Sequence, residues 1–147
     1  MSATSFRATR VLLVDDDPSV RESLAQVLRG EEYRVFTAVN GKEALEMIRS
    51  LPVDLVLLDL NMPEKSGWDT FERLTADNPV LPVIIITARP NQLFTAMSAG
   101  VDALLEKPLD LPELLATIDE LLRESPEKRL ERRLGKRCAF RYLPAHV

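Results

Sequence analysis

Four apolar runs in this chain each end in a different polar group. Val11-Leu12-Leu13-Val14 runs into Asp15-Asp16-Asp17, and Val53-Asp54-Leu55-Val56-Leu57-Leu58 runs into Asp59. Pro82-Val83-Ile84-Ile85-Ile86 closes on Thr87, and Ala103-Leu104-Leu105-Glu106 closes on Lys107. Adjacent carboxylates repel, and a divalent cation is the usual resolution. Mg2+ takes hard oxygens from one or two carboxylates and completes its shell with phosphate and water. A carboxylate can also attack phosphorus and hold the phosphoryl group as an aspartyl phosphate. Such transfer needs in-line placement and cancelled charge more than covalent help. A hydroxyl can donate to one phosphoryl oxygen, and an ammonium can neutralise another. Taken singly, each residue has a plainer explanation: a helix cap for Asp15-Asp16, a turn cap for Asp59, a strand end for Thr87, a solvated charge for Lys107. Their combination, Asp15, Asp16 and Asp59 with Thr87 and Lys107, describes a metal-assisted phosphoryl site.

The elements that must position these groups follow from the pattern between them. The apolar runs are continuous rather than alternating, as in parallel strands buried on both faces. Helical segments separate them. Asp17 or Ser19 with Pro18 can start the first helix and Gly30 can stop it. Asn40 with Glu43 has capping-box spacing for the second, which fades before Pro52. The third follows Ser66-Gly67 and ends before Asn78-Pro79. The fourth should end at Gly100, and the fifth starts at Asp110 with Glu113 as box partner and runs to about Glu124. The mixed stretch Tyr33 to Ala38 suits an edge strand. The polar ends lie 44, 28 and 20 residues apart, from 15 to 59, 59 to 87 and 87 to 107, as expected of two units, one and one. Right-handed crossovers then gather them on one rim, where open parallel sheets bind ligands.

Length and composition bound the alternatives. A chain of 147 residues is one domain by prior, able to bury a real core. With 46% hydrophobic and 29% charged residues it is globular rather than disordered. A single cysteine, Cys138, excludes an internal disulfide and fits a reducing compartment. The first ten residues lack the apolar core of a signal peptide, and no run approaches the ~20 residues of a membrane span. The expected location is therefore cytoplasmic, with no membrane contact. Residues 1–124 carry 12 Lys+Arg against 21 Asp+Glu, whereas 125–147 carry 7 against 2. An acidic body ends in a basic tail.

With these residues in place, the chain resembles the receiver domain of the two-component response-regulator family. The matching stretches are VLLVDDDP, LLDLNMP, IIITA and EKPLD, within residues 10–124. Residues 1–9 are then an N-terminal extension, and 125–147 a basic C-terminal tail, either a short helix or a linker stump. The resemblance implies a doubly wound, flavodoxin-like (βα)5 fold with sheet order 2-1-3-4-5, the order known for this family. It implies Asp59 as phosphoacceptor and Mg2+ held by Asp15, Asp16, Asp59 and the backbone carbonyl of Asn61, with Thr87 and Lys107 stabilising and sensing the phosphoryl group. The donor would be a histidine kinase, a phosphotransfer protein or a small phosphodonor. The output partner is left open, and a phosphorylation-dependent homodimer is among the outcomes. Such a domain is a switch, not an enzyme, beyond assisting its own phosphorylation and dephosphorylation.

Three positions depart from the family pattern. Leu104 stands where many members carry an aromatic switch residue. The stretch between Thr87 and Lys107 is two residues short, around Arg89-Pro90-Asn91-Gln92. Arg89 occupies a position that tunes phosphoryl lifetime. Other functions fit less well. An aspartate-nucleophile phosphatase needs an acid/base Asp where Asn61 stands. A flavodoxin-like cofactor carrier needs a phosphate loop where Asp15 to Asp17 would repel the phosphate. A phosphorylation-independent scaffold stays open. Trp68, Phe71 and Leu74 read as the core face of the third helix, and His146 carries no assigned role. Ser125-Pro126 and Gly135 bound a short helix with Leu130 and Leu134 on one face. This tail, with Lys128-Arg129, Arg132-Arg133 and Lys136-Arg137, reads first as a solvated extension. Docking to a protein or self-association comes next, and nucleic acid last.

Overall fold

In a computed structural model of the chain, residues 8–61, 66–135 and 140–145 are described. The element order is β1 (Arg10–Val14), α1 (Pro18–Gly30), β2 (Arg34–Ala38), α2 (Gly41–Ser50), β3 (Leu55–Asp59) and α3 (Ser66–Asp77). Then come β4 (Val83–Thr87), α4 (Leu93–Ala99), β5 (Ala103–Glu106), α5 (Leu111–Arg123), α6 (Pro126–Arg133) and β6 (Arg141–Leu143). All six strands are parallel, in the order β2-β1-β3-β4-β5-β6. The helix starts are those the capping residues dictate. The Asp17 carboxylate accepts from Ser19 N–H, Asn40 Oδ1 from Glu43 N–H and Asp110 Oδ1 from Glu113 N–H, filling donors that a helix start leaves open. Gly100 takes φ 78° to close α4, a left-handed turn that costs glycine little.

Because side chains alternate across a strand, the sheet feeds two cores. Leu12, Val14, Val56, Leu58, Ile85 and Leu104 face one side, where Phe71 and Leu74 of α3 and Ala44 of α2 cover them. Leu13, Leu55, Leu57, Ile84, Ile86 and Leu105 face the other, against Leu24 and Leu28 of α1 and Ile118 and Leu121 of α5. Phe71 and Leu74 thus lie in the core as expected, with Trp68 partly buried and packed edge-on against Phe71 at 6.0 Å.

The tail departs from expectation. Its sequence reads as a solvated extension of α5, yet α6 docks under the sheet and β6 adds a sixth strand beside β5. Cys138, His146, Lys136 and Arg137 lie outside the described residues. The cause of the docking is Asp102, fully buried just before β5. One oxygen accepts the Val83 N–H at 2.7 Å, and its carboxylate pairs with both Arg132 and Arg133. Arg132 also grips Glu124 through two bonds of 3.1 and 2.7 Å. Arg133 caps the Gly100 and Leu81 carbonyls, and Arg129 those of Val80, Leu121 and Glu124. The arginines therefore meet carbonyls that strand and helix ends leave open, and carboxylates that the body buries. A Cβ on Gly100 would come within 2.5 Å of the Arg132 carbonyl, so this glycine also admits the α6 backbone. Leu130 and Leu134 stay exposed.

Removing one partner of a buried ion pair strands the other's charge, at a cost of about 3–5 kcal/mol. Asp102→Ala should lower the unfolding free energy by about that much in a urea melt. Burial raises the Glu124 carboxyl pKa, but the bonds and charge of Arg132, then Arg141 and Arg129, outweigh it and hold the group below its usual 4.5. Its stabilisation is therefore complete above 4.5 and fades as pH falls through the lower folded value. Glu124→Gln should flatten this part of the acid-stability profile, measured as melting temperature against pH.

Candidate functional site

The carboxyl ends of β1, β3, β4 and β5 deliver one side chain each to a common rim. Asp59 is the last residue of β3 and Thr87 the last of β4, while Asp15 and Lys107 directly follow β1 and β5. The backbone fixes them. Asp15 N–H still bonds the Ala38 carbonyl of β2, and Lys107 N–H bonds the Thr87 carbonyl. Leu60 N–H bonds the Ile86 carbonyl, which holds Asp59 in the ladder to its last atom. Asp15, Asp59 and Thr87 are consequently all buried.

Asp59 is held at both oxygens. Its Oδ1 accepts the Asn61 N–H at 2.7 Å, and its Oδ2 pairs with Lys107 Nζ at 2.7 Å. Asp15 Oδ1 accepts the Asp17 N–H at 2.9 Å, and the Asp15 carbonyl accepts Arg21 Nη1 at 2.9 Å. Burial pushes the Asp15 carboxyl up to about 6. The Asp17 N–H opposes this, Asp59 adds to it by charge and by hydrogen bonding, and Lys107 offsets a little. Two buried carboxylates thus face one ammonium. Thr87 Oγ1 accepts the Arg89 N–H at 2.8 Å and sits 3.4 Å from Asn61 Oδ1.

Asp16, next to Asp15 in sequence, does not join them: it is exposed at the rim. Among the described residues, no group of three or more carboxylate, imidazole or thiol side chains is arranged to hold a metal. The pair Asp15 and Asp59 still suits a cation that keeps much of its water. Mg2+ is ordinarily held by one or two carboxylates with waters and phosphate oxygens rather than by an all-protein cage, and the uncompensated second carboxylate supplies the attraction. Arg89 is exposed and touches the site through its backbone N–H. Leu104 is fully buried between β4 and β6 neighbours, part of the core rather than of the rim. The loop after Asn61, residues 62–65, lies outside the described residues. The shortened stretch leaves α4 with 7 residues, and Trp68 Nε1 donates to Gln92 just before it. Asp102 is the residue that sequence reasoning missed. Its signal was a lone acid entering an apolar strand, thirty residues from an arginine pair.

Two buried carboxylates, a hydroxyl and a lysine thus stand at the ends of neighbouring strands on one rim of a parallel sheet. Residues 11–119 match the response regulator receiver domain family, and the chain belongs to that family. It is 41% identical over 118 residues to response regulator MprA of Mycolicibacterium vanbaalenii, covering 79% of this chain and 51% of that protein. With MprA of Mycobacterium tuberculosis it shares 40% over 127 residues, covering 84% and 55%. The chain spans about half the length of the curated relatives it matches. A CheY-like receiver domain from Methanospirillum hungatei superposes with a TM-score of 0.76 at 31% identity, covering 83% of this chain and 98% of that one. The response regulator TrrA of Thermotoga maritima, solved with Mg2+ and BeF, superposes at 0.72 with 34% identity, covering 77% and 98%.

Like-charge crowding at Asp15 and Asp59 has a measurable consequence. A cation that binds the folded site and not the unfolded chain stabilises by mass action, about 2.7 kcal/mol at a hundredfold excess over its dissociation constant. Adding Mg2+ should therefore raise the melting temperature, and Asp15→Ala should abolish most of the rise. A rise of equal size in that variant would show the cation to bind elsewhere.

Proposed function

We propose that this chain is a phosphorylation-controlled switch that accepts a phosphoryl group on Asp59 in a two-component phosphorelay and changes its partner binding as a result. The observation that carries the reading is the Asp59–Lys107 pair beside Asp15, with Thr87 on the next strand. The donor is a histidine kinase, a phosphotransfer protein or a small phosphodonor. An Asp59 oxygen attacks phosphorus; the new P–O bond forms as the donor's bond to phosphorus breaks, and the electron pair leaves with the donor. Mg2+, when bound, would supply positive charge that favours phosphoryl transfer. Asp15 and Asp59 would hold it, together with Asp16 at the rim and the Asn61 carbonyl.

The chain's own groups then rearrange. A phosphoryl group brings about −1.5 to −2 charges, so Lys107 exchanges its Asp59 Oδ2 partner for a phosphoryl oxygen. Thr87 Oγ1 turns its proton to another, which loosens the bond it accepts from Arg89 N–H. The loop 88–92 moves with it. Leu104, sealed in the core, repacks passively rather than acting as a rotamer switch. Arg89, exposed on that loop, can cover the face from which water would attack. Among the described residues no helix is long and apolar enough to cross a membrane.

Asp59→Ala should abolish the hydroxylamine-sensitive label left by a small phosphodonor and Mg2+, read by intact mass. Labelling at the parental level would refute the assignment. Thr87→Ala should accept the label yet lose the change in amide exchange at 88–92.

Arg89→Ala should hydrolyse its aspartyl phosphate faster than the parent, followed as decay of the labelled mass. An equal or slower rate would exclude shielding by this side chain.

A further inference from the structure

The tail is built from two parts of opposite character. Helix α6 is fastened by buried arginines on Asp102 and Glu124. Strand β6 is three residues long and loosely held. Its first ladder bond, Arg141 N–H to the Asp102 carbonyl, is 3.5 Å long. Arg141 Nε pairs with Glu120, whose side chain is 58% exposed, and exposed pairs contribute little. Arg141 Nη1 is buried without a hydrogen-bond partner among the described residues and lies 3.6 Å from Glu124 Oε2. The segment nonetheless closes a sheet edge that would otherwise present open N–H and C=O groups. Phe140 packs against one core and Leu143 against the other.

Being parallel to β5, β6 climbs from the latched end of the sheet toward the phosphoryl rim. Leu104 pairs with Tyr142 and Leu105 with Leu143. At the top, Ala145 N–H reaches Glu106 Oε1 at 3.4 Å, and the nearby Glu106 carboxylate raises the pKa of the Tyr142 hydroxyl. Glu106 adjoins Lys107 in the chain and is the register partner of Thr87. The residue that ties down the end of the tail is thus flanked by the two groups that a phosphoryl on Asp59 would attract. Residues 120–147 fall outside the family match, so this arrangement is a feature of the chain and not of the matched domain.

We infer that β6 is a tethered strap over the β5 edge, released when Asp59 is phosphorylated; this rests on the function proposed above. Lys107 and Thr87 are drawn inward toward β3. Glu106 is carried with them, away from β6, so its bond from Ala145 N–H breaks and its hold on the Tyr142 hydroxyl is lost. The strap lifts while α6 stays latched, and the β5 edge is uncovered. Coupling of this kind is reciprocal: what phosphorylation does to the strap, the strap must do to phosphoryl binding.

Amide exchange of the full chain with Mg2+, with and without beryllofluoride as the phosphoryl mimic, tests this. Residues 140–145 should exchange about fivefold faster or more with the mimic, while 126–135 keep their protection. Unchanged exchange at 140–145, with residues 87–92 responding, would overturn the strap and leave the switch intact. No response in either segment would overturn both. In the reciprocal arm, Arg141→Gln with Tyr142→Phe removes the charged and hydroxyl side-chain groups of β6 and keeps its apolar packing. This variant should bind beryllofluoride about fivefold more tightly; parental affinity would show β6 to be merely structural.

Discussion

Two carboxylates buried at the ends of adjacent strands, with one ammonium between them and solvent, set the terms for the whole molecule. Burial alone would drive such groups toward neutrality, and Asp15 responds in that sense, its pKa pushed to about 6. Asp59 holds Lys107 and the Asn61 N–H, one on each oxygen. The resting site is therefore satisfied but short of positive charge. On the proposed function, an incoming cation would relieve the shortage, and an incoming phosphoryl group would compete for the lysine. Both responses follow from a charge arrangement that the fold tolerates because it is confined to one rim.

That confinement is the work of the parallel register. Asp59 pairs opposite Ile86, and Thr87 opposite Glu106, so each strand end is one residue from its neighbour's. A slip of one residue would turn Asp59 to the opposite face and bury a leucine's place with a charge. The two apolar cores on either side of the sheet, each read by every second residue of the same strands, make such a slip costly. The core thus protects the register, and the register protects the site.

Most of this was legible in the sequence. Continuous apolar runs ending in polar groups identify buried parallel strands, and Asp17, Asn40 and Asp110 mark helix starts by a local hydrogen bond that needs no tertiary partner. What escaped is what depends on distant partners. Asp15 and Asp16 are equivalent in sequence; in the fold Asp15 is buried, its N–H on the Ala38 carbonyl and its Oδ1 on the Asp17 N–H, while Asp16 is exposed. Arg132 and Arg133 look like a solvated stripe until Asp102, thirty residues away, is known to be buried. Arg141-Tyr142-Leu143 is too short to show a period at all, so β6 left no pattern to read.

The two ends of the sheet solve the same electrostatic problem in opposite ways. At the amino ends, Asp102 and Glu124 meet more guanidinium groups than there are carboxylates, and the buried pairs fix α6 in place. At the carboxyl ends, Asp15 and Asp59 outnumber Lys107, and the imbalance is what a ligand can correct. A buried cluster whose carboxylates are all paired resists change because removing any member strands another charge. An unbalanced one responds to change because adding a charge improves it. Strand β5 joins the two, with Asp102 just before it and Lys107 just after it. It is therefore the element along which a charge arriving at one end can be felt by the segment anchored at the other.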